Sequence, residues 1–163
     1  MSARNFDEYI EKTTKMWMIL NRYQIEVGVF SKDSERKETA VVKDITNAEL
    51  MFIHENGSAL QNIPARPVLE MSIKYAIKKI VPVYLNDIEK EILNDTATVD
   101  KIEKMLERMC LRIQNYAQDL IYKNDGRLAK NAPSTIKRKH GNHPLFDTGQ
   151  LARSIQCQLV KKS

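Results

Sequence analysis

Glycine, proline and cysteine are scarce in this chain of 163 residues, with five, five and two copies. The few glycines form no phosphate-cradling loop, and no G-x-S-x-G elbow is present, so nucleotide-binding and hydrolase fingerprints are both missing. Cys110 and Cys157 fall in a helical and an extended pattern and are expected as buried small hydrophobes in a reducing compartment. His54, His140 and His143 share no metal-ligand spacing with cysteine or carboxylate, and the last two are expected to face solvent. No apolar run is long enough to span a membrane, and none resembles a secretory leader. Glu55 and Asp147 could form a carboxylate pair, but nothing in the sequence brings them together. No catalytic residue, metal ligand, cofactor or cofactor-binding residue is therefore expected.

What is present fits one globular domain over residues 1–163. Hydrophobic residues make up 42% and charged residues 29% of the chain, a balance that supports a folded core rather than disorder. The net charge of +5 permits an acidic partner, although a solvated basic surface accounts for it as well.

Hydrophobic spacing predicts a mixed α+β fold. Asn5 and Glu8 read as the start of an amphipathic helix that carries Phe6, Tyr9, Ile10, Thr13, Met16, Trp17 and Leu20 and runs to about Arg22. From Tyr23 the period becomes two, with Tyr23, Ile25, Val27 and Val29 on one face of a strand. Ser31 to Glu38 reads as a loop and Thr39 to Val42 as a weaker return strand. Thr46-Asn47-Ala48-Glu49 is a capping box for a short helix that Gly57 stops.

A long helical stripe of Leu69, Ile73, Ile77, Ile80, Tyr84 and Ile88 follows, with Pro82 expected to kink it or end it near Val81. Asp95-Thr96-Ala97-Thr98 interrupts the period and offers a new N-cap. Beyond it Ile102, Met105, Leu106, Met109, Ile113, Tyr116, Ala117 and Leu120 form a second stripe, so an antiparallel helix pair packed on the sheet is expected. Residues 124–144 form a long polar loop with one helical turn at Ser134 to Arg138, a candidate arm that orders on assembly. Asp147 or Thr148 can cap a short helix through Arg153, and Ile155, Cys157 and Leu159 alternate in a closing strand. The expected architecture is a small antiparallel sheet packed against two long helices and an N-terminal helix.

Two blocks stand apart from this patterning. In Ile63-Pro64-Ala65-Arg66-Pro67 the prolines hold Ile63 and Arg66 extended, and Pro67 suits the first position of the following helix. The result is a stiff elbow that delivers one arginine to a helix entrance. The basic run Lys137, Arg138, Lys139 could neutralise phosphates without sequence preference, although aromatic interleaving and any nucleic-acid-binding pattern are missing.

Taken in order, Glu55-Asn56-Gly57-Ser58, Ile63 to Leu69, Ala132-Pro133-Ser134-Thr135 with Lys139, and Pro144-Leu145-Phe146-Asp147-Thr148-Gly149-Gln150-Leu151 with Ser154-Ile155 resemble the phage virion morphogenesis family. These are tail-completion, or head-tail joining, proteins of tailed phages and prophages. The resemblance runs from about Tyr23 to the final strand. It departs at Val68, where phenylalanine is usual, and at Ala152-Arg153, where the arginine commonly comes one position earlier.

The resemblance implies a structural, non-enzymatic α+β subunit, located in the virion neck and assembled in the bacterial cytoplasm. It would close a homo-oligomeric ring of six copies between the portal connector, or its adaptor, and the tail terminator or tube proteins, with no membrane partner. The family positions Glu55, Gly57, Ile63, Pro64, Arg66, Pro67, Leu145, Asp147, Thr148, Gly149 and Leu151 would serve assembly. Lys137, Arg138 and Lys139 would face DNA in the lumen.

Overall fold

The computed structural model describes residues 3–30, 45–139 and 141–162. The loop and return strand expected within 31–44 lie outside the described residues, as does His140. The first helix, α1 (Ala3–Leu20), begins two residues before Asn5, which therefore sits in its first turn instead of capping it. Strand β1 (Tyr23–Val29) follows. The short helix α2 (Asn47–Asn56) starts with the expected capping box: the Thr46 hydroxyl accepts from Glu49 N, and the Glu49 carboxylate accepts from Thr46 N at 2.8 Å. The Thr46 N–H, and then the Thr46 hydroxyl, which also donates to it at 2.8 Å, hold the Glu49 carboxyl below its usual range.

The next helix departs from its predicted phase. Helix α3 (Val68–Tyr75) passes through a π-helical turn, Ala76–Ile80, into α4 (Val81–Leu93). Pro82 brings no N–H, and one turn widens just before it, so that Val81 N bonds Ala76 O, five residues back. The buried face becomes Val68, Ser72, Ala76, Ile80, Ile88 and Ile92, while Ile73 and Ile77, expected in the core, are exposed. Pro82 thus neither ends the helix nor needs a break.

Helix α5 (Val99–Tyr122) is capped by Thr98, whose hydroxyl accepts from Lys101 N. It buries Ile102, Leu106, Met109, Cys110, Ile113, Ala117, Leu120 and Ile121. Glu91 of α4 pairs with Lys101 at its start, and Tyr75 of α3 stacks on Tyr116 near its end at 3.8 Å. The two long helical segments are therefore antiparallel. Short helices α6 (Pro133–Lys139) and α7 (Gln150–Ser154) lead to β2 (Ile155–Lys161). The fold is α+β, with a two-stranded antiparallel sheet among the described residues.

Strand register runs from Tyr23 opposite Lys161 to Val29 opposite Ile155. Helix α5 lies across this sheet and fastens β2 with two amides: Gln118 Nε2 donates to Ile155 O, and Gln114 Oε1 accepts from Cys157 N, both at 3.0 Å. Two core clusters share α5. Its first half packs with Met16, Tyr23, Ile80, Ile88 and Ile92, and its last turns pack with Met51, Val68, Leu128, Leu145, Leu151, Ala152 and Ile155. Removing any fully buried aliphatic side chain here, such as Ile121, would cost about 2–5 kcal/mol. Cys110 is buried, whereas Cys157, expected to be buried too, is only half so, because β2 has one helix over it at that point. The hydrogen bond with the neighbouring Cys110 sulfur, and then burial, push the Cys157 thiol up, so it stays protonated.

Candidate functional site

The two sequence blocks, far apart along the chain, meet around the second core cluster. Helix α2 ends at Gly57, with φ 73° and ψ 178°, a positive φ that favours glycine. A Cβ at Gly57 would stand 2.8 Å from Ala65 N and 2.9 Å from Ile63 O. That close approach folds the elbow back on the helix end. Ser58 and Ile63 close a tight bridge, with Ser58 N donating to Ile63 O at 2.8 Å and Ile63 N to Ser58 O at 2.9 Å.

Pro67 occupies the N-cap of α3, one position before the first helical residue where it was expected, and it has no side chain with which to cap. The cap is supplied by Glu55 from the last turn of α2. Its Oε2 accepts from Leu69 N at 3.0 Å and its Oε1 from Glu70 N at 2.7 Å. A carboxylate is suited to this place, because the free amides and the helix dipole both present positive charge. With both oxygens engaged, Glu55 is not an acid-base partner for Asp147, which is exposed.

Arg66 is only 4% exposed. Its backbone N donates to His54 O at 2.6 Å. The side chain crosses to the loop after α5, donating through Nε to Ala129 O at 2.7 Å and through Nη2 to Lys130 O at 3.0 Å. Nη1 lies 3.4 Å from His54 Nδ1. These partners are neutral, and burial lowers the basicity of the guanidinium. His54 is held neutral as well: burial first, then the charges of Arg66 and Lys139, push its pKa down to about 4.

The loop expected as an arm is fastened on both sides of α6. Leu128 is buried in the second cluster, ahead of the two carbonyls held by Arg66. Beyond α6, His143 bonds through Nε2 to Ile121 O and stacks on Phe146 at 4.9 Å, so it is half-buried instead of solvent-facing. Leu145 follows with φ 59° and its side chain in the core.

The expected cap by Asp147 or Thr148 is not formed. Gly149, left-handed with φ 76°, takes the N-cap of α7 without a side-chain bond. Arg153 bonds the preceding turn instead, Nη2 to Thr148 O at 2.9 Å. Leu151 and Ala152 then enter the core.

The eleven family positions therefore divide. Arg66, Leu145, Gly149 and Leu151 are buried; Glu55, Gly57, Ile63 and Pro67 are half-buried; Pro64, Asp147 and Thr148 are exposed. Leu145 and Leu151 share a core with Val68 of the first block and Met51 of α2, whereas Glu55, Gly57 and Ile63 hold the elbow itself. Val68, one residue past the elbow, is fully buried beside Leu145 and Leu151. Sequence periodicity gave no sign of its central place.

Lys137, Arg138 and Lys139 occupy the last turn of α6, with Lys137 and Arg138 exposed and Lys139 half-buried. Among the described residues no cluster of three or more His, Cys, Asp or Glu could hold a metal ion, and no helix is long and apolar enough to cross a membrane. Two open grooves lie away from the motif blocks. One of about 390 Å³ runs between α4 and α5 at Asp87, Glu91, Lys104 and Arg108, and one of about 500 Å³ between α1 and α4 at Tyr9, Trp17, Pro82 and Leu85. Comparison with family models, curated proteins and solved structures finds no match for this chain.

Proposed function

We propose that this chain is a structural subunit of a tailed-phage or prophage particle, forming a ring of six copies at the head-tail junction and joining connector to tail. The observation that carries this reading is the meeting of its two motif blocks. Val68 of the first block packs in one core with Leu145 and Leu151 of the second, while Glu55 and Arg66 bond backbone groups, so residues that resemble a family signature behave as one structural unit. Their bonds are to backbone groups and their surroundings are apolar, the chemistry of a rigid support and not of turnover. Pro64, Asp147 and Thr148 are exposed and free to meet neighbouring proteins. In particles assembled without the chain, negative-stain microscopy is expected to show filled heads and complete tails that remain separate. Joined, infectious particles in its absence would refute the role.

A second reading rests on α6, whose last turn gathers Lys137, Arg138 and Lys139 with no acidic residue in its first turn. Such a turn can contact phosphates without reading sequence. Under this reading an electrophoretic shift of DNA at low salt disappears when Lys137 and Arg138 are replaced by glutamine. The absence of any salt-sensitive shift would remove this second reading and leave the ring reading standing.

A further inference from the structure

Two exposed helical stripes carry matched patterns of opposite charge. On α1, Phe6 and Ile10 are 57% and 46% exposed, and Trp17 continues the same stripe at 61%. Each of the first two is followed by an acid, Asp7 and Glu11, so both carboxylates stand on one flank. Where α3 enters the π-helical turn, Ile73 and Ile77 are exposed at the same spacing of four. Each of these is followed by a base, Lys74 and Lys78. Among the described residues Asp7, Glu11 and Lys78 form no ion pair, and Lys74 meets only Glu70, in an exposed pair of little energetic weight. Helix α1 packs on α4, and both stripes stay exposed among the described residues.

We propose that a second copy of this chain covers the α1 stripe with its own Ile73–Ile77 stripe, acidic flank against basic flank. The inference rests on the ring reading above, whose subunit contact it assigns to two helices. Aromatic side chains at the centre with charges at the edge are the usual composition of a specific contact, and the opposed flanks fix its register. Because the two surfaces differ, the contact is heterologous. Every added copy then leaves one stripe of each kind free, and the assembly propagates until it closes on itself. The π-helical turn matters here, since the residue it adds brings Val68, Ser72 and Ala76 into line with the buried Ile80 and leaves Ile73 and Ile77 exposed.

Trp17 is the sole tryptophan, so its emission reports burial of the stripe directly. The test uses the full chain and two charge-reversed proteins, Asp7→Lys with Glu11→Lys and Lys74→Glu with Lys78→Glu, with circular dichroism melts to show that both fold. In sedimentation each reversed protein alone is expected to associate at least about tenfold more weakly than wild type, with the red-shifted emission of exposed indole. An equimolar mixture is expected to recover the wild-type mass and the blue-shifted emission, because reversed α1 of one protein then faces reversed α3 of the other.

If a reversed protein alone keeps the wild-type mass and emission, or the mixture fails to recover them, this interface is wrong and the ring needs another contact. Wild type that stays monomeric at about 1 mM, a Kd too weak for a specific interface, also overturns it. Loss of head-tail joining in particles lacking the chain would uphold the particle role even then.

Discussion

The guanidinium of Arg66 donates to the carbonyl oxygen of Ala129, 63 residues downstream, at 2.7 Å, and the same side chain holds the next carbonyl, Lys130 O, at 3.0 Å. One planar fork thus fixes two successive peptide groups, a task that the single ammonium of lysine cannot reproduce. Arg66→Lys is therefore expected to cost about 2–3 kcal/mol, from one lost bond and an unsatisfied buried carbonyl. Urea unfolding measures the loss, and faster amide exchange at residues 128–131 locates it. A variant as stable as wild type with unchanged exchange would show that the clamp carries no energy.

Glu55 lends its carboxylate to a helix 14 residues further on. Because Pro67 cannot cap, Glu55→Ala leaves Leu69 N and Glu70 N without a side-chain partner. The expected cost is about 1–2 kcal/mol, the range of an N-cap with a dipole contribution. Glu55→Gln, which keeps the shape but loses the charge, should fall between the two. Thermal unfolding of the three proteins ranks them, and equal midpoints for all would remove the cap from the account.

Three glycines with positive φ predict a graded series. At Gly126 (φ 86°) a Cβ meets nothing within 4 Å, at Gly149 it meets the movable tip of Arg153 at 2.8 Å, and at Gly57 it meets backbone on both nearest sides. Each alanine carries the left-handed penalty of about 1–2 kcal/mol. Gly149→Ala adds the displacement of Arg153 from Thr148 O, and Gly57→Ala must move the elbow itself. Stability is expected to fall in the order Gly126→Ala, Gly149→Ala, Gly57→Ala, with the last losing more than about 3 kcal/mol. Any other order by denaturant titration would mean that the elbow yields more easily than its contacts imply.

His54 gives the fold an acid-sensitive component. Its folded pKa of about 4 lies below the ordinary 6.5, so between these values the unfolded chain binds the extra proton. The stability is fully present above about pH 6.5 and is lost as pH falls toward 4, by at most about 3 kcal/mol from this one group. Replacing His54 with Gln should flatten the stability-pH curve across that window. NMR titration of the His54 ring checks the pKa itself, and a midpoint near 6.5 would contradict it.

Features set by nearest neighbours along the chain were legible before any tertiary contact was known. The capping box at Thr46–Glu49, the helix break and new cap within residues 95–98, the stripe of α5 and the strands at Tyr23 and Ile155 depend on residues one to four positions apart, and each formed as its spacing implied. Ile73 and Ile77 were misplaced because the expected stripe ran back from Ile80 and Ile88 at constant pitch, whereas the widened turn at Ala76–Ile80 adds one residue and puts Val68, Ser72 and Ala76 on the buried face; spacing alone carries no mark of it. The cap at Asp147 or Thr148 failed for a related reason: Gly149 could adopt a conformation that made a side-chain cap unnecessary.

By itself the sequence determined which segments are helical or extended, the capping box that starts α2, and that two proline- and glycine-marked blocks needed special backbone geometry. Tertiary structure alone decided what those blocks hold. Glu55 finds its acceptor role at Leu69 and Glu70, Arg66 finds the carbonyls of Ala129 and Lys130, and Val68 finds Leu145 and Leu151. Periodicity is written in local steric preference, whereas the partner of a buried charge or an uncapped helix end is chosen by whichever distant segment the folded chain brings within 3 Å.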